Sequence, residues 1–216
     1  LKIPGFARAW VLAAGTACVL LAPHLGVPMF AYPLFGAGLC VLLLRWQGLR
    51  LVDIGFRWRD LRARPLLIGA GLGVAYALLN YAVIGPLLAL ILQARPDLSD
   101  FAFVRGSLAG YLVGVGLAWI IGGFYEELVF RGFLQGMLER CLYVRRGGAL
   151  IAAGTTAVVF AAYHWQLGAF GVANALVFAL FAAGIRRRWP DNLWYAIAFH
   201  ACADTTAFTL MRMGWL

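Results

Sequence analysis

The chain has 216 residues, 63% hydrophobic and only 12% charged, with 26 glycines and a mean hydropathy of +0.85. A soluble globular domain is nearer half apolar and a quarter charged, so a water-soluble fold is excluded: too little polar surface exists to cover it. The formal charge of +9 does not mark a nucleic-acid binder, because fourteen of the 18 basic residues fall near the ends of apolar segments that can share one side. These are Lys2, Arg8, Arg45, Arg50, Arg57, Arg59, Arg62, Arg64, Arg140, Arg145, Arg146, Arg186, Arg187 and Arg188. That is the positive-inside pattern of a membrane protein, with a smaller part in holding anionic lipid headgroups.

Seven apolar segments follow in chain order, at about 9–22, 29–44, 65–92, 107–139, 149–165, 170–185 and 192–213. The pattern predicts an all-α, polytopic transmembrane bundle of about seven to eight membrane helices. It forms one integral-membrane domain over 1–216, with its motif-bearing core at 107–213. The first segment reads as a retained span, not a removed signal peptide. Loop 45–64, where Trp and Phe alternate with Arg, reads as an interfacial segment on the cytoplasmic side. Loop 93–106 balances Arg95 and Arg105 against Asp97 and Asp100, which suits the opposite side. The fourth segment is long enough for one tilted helix or for two pieces broken at Gly122–Gly123; parity of the basic loops favours seven crossings. Cys18, Cys40, Cys141 and Cys202 have no metal-ligand spacing and read as small packing residues. Asn80 and Asn174 are expected to hydrogen-bond between helices, and His24, beside Pro23, to lie at the interface.

Chemistry concentrates in the second half. Glu126 and Glu127 stand together inside an apolar segment, Ile120-Ile-Gly-Gly-Phe-Tyr-Glu126-Glu127-Leu-Val-Phe-Arg131. Ionised groups at membrane depth are costly and call for partners, a cavity and a function. Adjacent residues point about 100° apart on a helix, so the two carboxylates serve different roles. Arg131, four residues after Glu127, can pair with it, leaving Glu126 to face a cavity as a general base. His164 ends Phe160-Ala-Ala-Tyr-His164. His200 and Asp204, in His200-Ala-Cys-Ala-Asp204, share one helical face, and Asp204 can fix the orientation of His200. Each pairing also has a purely structural reading. Glu126, His164 and His200 are expected to converge on one cavity, although counting from the proposed helix ends sets His200 at a different depth.

Glu126-Glu127-x-x-x-Arg131, Phe160-x-x-x-His164 and His200-x-x-x-Asp204, in this order on late spans, resemble the CPBP family of CAAX prenyl proteases and bacteriocin-processing enzymes, also called the ABI family of intramembrane endopeptidases. The resemblance covers 126–204. It implies peptide-bond hydrolysis inside the membrane. Glu126 and His164 would activate water, His200 and Asp204 would face the scissile carbonyl and its oxyanion, and Glu127, Arg131 and Phe160 would support the site. Asp204 stands where the family pattern takes Asn or Asp; an Asp must be protonated to donate to an oxyanion, or else acts through His200. No cofactor is favoured. Zinc is the alternative, with Glu126, His164 and His200 as its ligands, but a Glu used as ligand leaves no evident base.

The expected function is thus an intramembrane endopeptidase hydrolysing membrane-associated or lipidated peptides through a glutamate-activated water. Its partners are a membrane-embedded or lipidated peptide or protein substrate and lipids, with no nucleic acid. The expected location is a prokaryotic cytoplasmic (inner) membrane. The alternatives are a non-catalytic membrane peptide-binding scaffold and an ion-coupled transporter; the latter predicts an internal repeat, which the sequence lacks.

Overall fold

The structure is a computed structural model that describes residues 5–216, with side chains described from residue 10 onward. Lys2 therefore lies outside the described residues, as does the side chain of Arg8. All regular structure among the described residues is helical. In chain order the helices are α1 (Gly5–Leu21), α2 (Tyr32–Trp46), α3 (Ala63–Leu92), α4 (Ala102–Gly106), α5 (Leu108–Cys141), α6 (Gly148–Tyr163), α7 (Trp165–Arg188) and α8 (Trp194–Arg212).

The all-α expectation holds, but the expected count of seven to eight membrane helices is corrected. Among the described residues three helices are long and apolar enough to cross a membrane: α3 with 30 residues, α5 with 34 and α7 with 24. These three support an integral-membrane location. The reason for the smaller number is length and polarity. At 1.5 Å per residue, helices of 15–17 residues such as α1, α2 and α6 reach only about 23–26 Å, against a hydrocarbon core of roughly 30 Å. Helix α8 has 19 residues, but His200, Asp204, Thr205, Thr206 and Thr209 dilute its hydropathy.

Of the two alternatives for the fourth segment, one long helix is found and the break at Gly122–Gly123 is absent. Helix α5 runs through both glycines, with π-helical hydrogen bonding over Ala118–Leu134. The glycines serve close approach instead. A Cβ on Gly122 would lie 2.6 Å from Asp204 Oδ2, and one on Gly123 would lie 2.8 Å from the Cβ of Ala201. Helix α8 is thereby seated against α5 and, more extensively, against α3. On α3 the glycines of Gly69-x-x-x-Gly73 remove the side chains that would block contact. A Cβ at Gly69 would lie 2.5 Å from the carbonyl of Tyr195, and one at Gly73 would run into the carbonyl of Phe199. This is the small-residue contact by which membrane helices gain packing, here formed within one chain. Gly73→Ala cannot be absorbed by a side-chain movement, because the obstacle is backbone. It is expected to cost about 1–3 kcal/mol, read as a lower melting midpoint in detergent; an unchanged midpoint would contradict the α3–α8 contact.

The basic loops gather at one end. Leu193 N–H donates to the carbonyl of Gly55 (2.8 Å), the Trp194 indole to that of Arg57 (2.9 Å) and Arg140 to that of Asp53 (2.7 Å). Loop 45–64 is more than an interfacial strap: Ile54 and Phe56 are buried, and Ile54 fills the notches left by Gly132 and Gly136 on α5. Trp58 remains 66% exposed, as suits a residue at a membrane interface. At the other end, loop 93–106 lies against the carboxyl terminus through Arg212, which donates to the Arg105 carbonyl.

All four cysteines are free thiols. The expectation for Asn80 and Asn174 is not met: both Oδ1 atoms are buried without a hydrogen-bond partner among the described residues.

Candidate functional site

Helices α5, α6 and α8 bring the motif residues into one cluster around Phe160 and Phe178. The packing is aromatic. The Phe160 ring centroid lies 4.5 Å from that of His164, 6.1 Å from His200 and 5.8 Å from Phe178, and Phe178 lies 4.4 Å from His200. The Arg131 guanidinium sits 4.3 Å over Phe160 and 5.7 Å from the centroid of Phe178. A delocalised cation held on aromatic faces is stabilised without water. The depth difference read from the helix ends therefore does not separate His200 from Glu126: their side chains approach to 3.9 Å.

The two glutamates are placed differently. Glu127 is fully buried and meets Arg131 Nη1 at 3.1 Å. It also accepts a hydrogen bond from His200 Nδ1 at 2.7 Å. A carboxylate offers only acceptors at this contact, so Nδ1 carries the proton and Nε2 is the nitrogen turned to the site. Glu126 Oε2 lies 3.9 Å from that Nε2, beyond hydrogen-bond range. The Glu126 carboxylate has no hydrogen bond among the described residues, and its side chain keeps about a tenth of its exposure. It is thus desolvated yet uncommitted. The π-helical turn helps: residues five apart lie on nearly the same side, so Arg131 also interacts electrostatically with Glu126.

The hydrogen bond that orients His200 goes to Glu127. Asp204 Oδ2 lies 3.5 Å from Nε2, the site-facing nitrogen, and its side chain is 37% exposed. His164 caps the end of α6 and donates from Nδ1 to the carbonyl of Phe160 (2.8 Å), which fixes its tautomer and frees Nε2. Gly122 completes the floor, since any side chain there would displace Asp204 or His200 Nε2.

Several neighbours were not singled out by their spacing. Tyr32, Tyr125 and Tyr163 interact electrostatically with Glu126. Two of them adjoin motif residues, Tyr125 beside Glu126 and Tyr163 beside His164, a signal the sequence did carry. Tyr32 comes from a distant segment and could not be found that way. His24 also belongs here: its ring packs edge-on against Tyr163 at 5.0 Å and near Trp165 at 5.9 Å. The Tyr76 hydroxyl is buried without a hydrogen-bond partner among the described residues and interacts electrostatically with Asp204.

The donor types would suit zinc, and each histidine has one nitrogen tied back and one free. Among the described residues, however, no group of three His, Cys, Asp or Glu side chains could hold a metal ion. Glu126, His164 and His200 therefore do not form a ligand set in this arrangement.

Residues 108–206 match the family described as Type II CAAX prenyl endopeptidase Rce1-like. This part of the chain is a CAAX-protease domain of that family. The match begins at the start of α5 and ends just past Asp204, so it takes in every motif residue. No curated protein and no solved structure matches the chain. Residues 108–206 thus resemble a superfamily of enzymes; the match runs from the first residue of α5 into α8, with α1–α4 and the last turns of α8 outside it.

Proposed function

We propose that this protein is an intramembrane endopeptidase that hydrolyses peptide bonds of membrane-associated or lipidated peptides through a water activated by Glu126. The observation that carries the reading is the contrast between the two buried glutamates. Glu127 is spent on Arg131 and His200, whereas Glu126 has no hydrogen bond and faces His200 Nε2 across 3.9 Å. The Rce1-like domain supports the same reaction class.

In this mechanism Glu126 accepts a proton from water, assisted by His164 Nε2, and the oxygen attacks the scissile carbonyl carbon. His200, protonated on Nε2, donates to the oxygen that gains the negative charge; preorganised donors of this kind supply much of the stabilisation in acyl transfer. The carbon–nitrogen bond then breaks. The proton held by Glu126 passes to the leaving amine, giving a new carboxylic acid and a free amine, and the Glu126 carboxylate is restored. Asp204 lines the same side; it donates only when protonated, and otherwise restrains His200 Nε2. Glu127, Arg131 and Phe160 hold the cluster in place. Apolar walls exclude bulk water and strengthen each electrostatic contact. As proposed, the step uses no metal.

The test is mass-spectrometric cleavage of a mixed set of membrane-tethered peptides, prenylated and unmodified, by the protein in mild detergent. Wild type is expected to cut at a defined bond. His200→Ala is expected to lower kcat by about 10²–10³-fold, the worth of one oxyanion donor, with KM little changed. A folded wild type that cleaves nothing, or a His200→Ala variant at full rate, would contradict the proposal.

A further inference from the structure

A second feature lies away from the Glu126–His200 cluster, at the basic end of α7. A groove of ≈ 410 Å³ runs along the last two turns of this helix, lined by Leu180, Phe181, Gly184, Ile185, Arg188 and Trp189. Leu180 and Phe181 are exposed, and α7 is one of the helices able to cross a membrane, so these side chains meet lipid tails. The groove is shallow and open, and Gly184 leaves its middle clear: a Cβ there would find nothing within 4 Å. Its inner wall is firm, since Phe181 packs on Tyr76 at 5.1 Å.

The polar end of the groove is built as well. Trp189 stacks flat on Tyr195, with centroids 4.2 Å apart and planes 4° apart. The Arg188 guanidinium is held 5.3 Å from the Trp189 centroid. Among the described residues it has neither an ion-pair nor a hydrogen-bond partner. The nearby carboxylate of Asp191 interacts with Arg186. An open apolar groove that ends in a prearranged Trp and an unpaired Arg matches a lipid with a negative headgroup. The tail would lie in the groove, the ring at headgroup level and the phosphate on the guanidinium.

We propose that this groove is a discrete binding site for one anionic phospholipid, with its phosphate on Arg188 and an acyl chain over Gly184. The site is independent of the proposed peptidase reaction, since none of its residues belongs to that cluster. It localises the general attraction of basic loops for anionic lipid to one place.

Native mass spectrometry of the full chain, titrated with phosphatidylglycerol or with phosphatidylcholine of the same acyl chains, tests this. Wild type is expected to retain one phosphatidylglycerol in preference to phosphatidylcholine. Arg188→Gln should weaken phosphatidylglycerol about fivefold, the usual effect of one basic residue at an anionic surface. Gly184→Leu, whose Cβ meets nothing within 4 Å and whose side chain would occupy the groove, should weaken it about tenfold, as losing the burial of two acyl methylenes would. Arg146→Gln, an exposed arginine elsewhere, should change nothing, and inorganic phosphate should not compete. Equal binding of the two lipids would overturn the site. So would an equal loss in Arg146→Gln, full binding by Gly184→Leu, or displacement by phosphate.

Discussion

Glu126→Gln is expected to lower kcat about a thousandfold, within the 10²–10⁴ that a general base contributes, while the protein folds as before. Both halves of this expectation come from the same geometry. Gln keeps the size and shape of the side chain, and Glu126 has no hydrogen bond to lose. Replacing a desolvated carboxylate by a neutral amide also removes a buried charge, which costs the fold nothing and can stabilise it. The melting midpoint should therefore hold or rise as activity disappears. Glu127→Gln should behave in the opposite way, because it severs contacts to Arg131 and His200 together. Detergent melting and single-turnover cleavage on the two variants separate these roles. A Glu126→Gln protein retaining more than about a tenth of wild-type kcat would exclude it as the base.

The second large effect is expected at Arg131. Its guanidinium is 1% exposed, meets Glu127 at 3.1 Å and lies over Phe160 at 4.3 Å. Arg131→Leu would leave the Glu127 carboxylate buried beside one histidine. Breaking a buried pair from one side typically costs about 3–5 kcal/mol, whereas replacing both partners by well-fitting neutral groups is often close to neutral. The single variant should thus lose about 3–5 kcal/mol in a denaturant titration. The double variant Arg131→Leu with Glu127→Leu should recover much of that stability, though not activity, since His200 then loses the acceptor that orients it. A loss below about 1 kcal/mol for Arg131→Leu would mean that water reaches the pair and that the cluster is not sealed.

The helices themselves were legible because long apolar runs separated by arginine-rich or proline-containing loops leave few alternatives. The segment at 65–92 became Ala63–Leu92, and the one at 192–213 became Trp194–Arg212. The number of membrane crossings was not legible. Apolar character marks burial in protein as readily as burial in lipid, and short helices such as Tyr32–Trp46 and Gly148–Tyr163 satisfy it without the length to span. The sequence leaves open whether the glycines of α5 break the helix, for a related reason. A Gly–Gly pair weakens a helix on its own, but here each glycine faces α8, and the contact made possible by the missing side chains outweighs the lost propensity.

At the site, the motif spacing identified the residues and also the Glu127–Arg131 pair, which is a contact along one helix. It did not show which carboxylate orients His200. Asp204 is the local candidate, four residues on, but His200 Nδ1 donates its hydrogen bond to Glu127, 73 residues away in the chain. Spacing reports neighbours on one helix; contacts between helices depend on how the helices are docked. Tyr32 and Tyr76 escaped notice for the same reason, as did the packing of His24 on Tyr163.

The most direct test of the account is cleavage of a membrane-tethered peptide in heavy-oxygen water by chelator-treated wild type and Glu126→Gln, followed by mass spectrometry of the fragments. The account predicts that wild type cleaves without added metal and leaves one heavy oxygen in the new carboxyl group, and that Glu126→Gln leaves the peptide whole. Cleavage at comparable rates by both proteins would contradict it, as would wild-type cleavage that vanishes on chelation and returns with zinc.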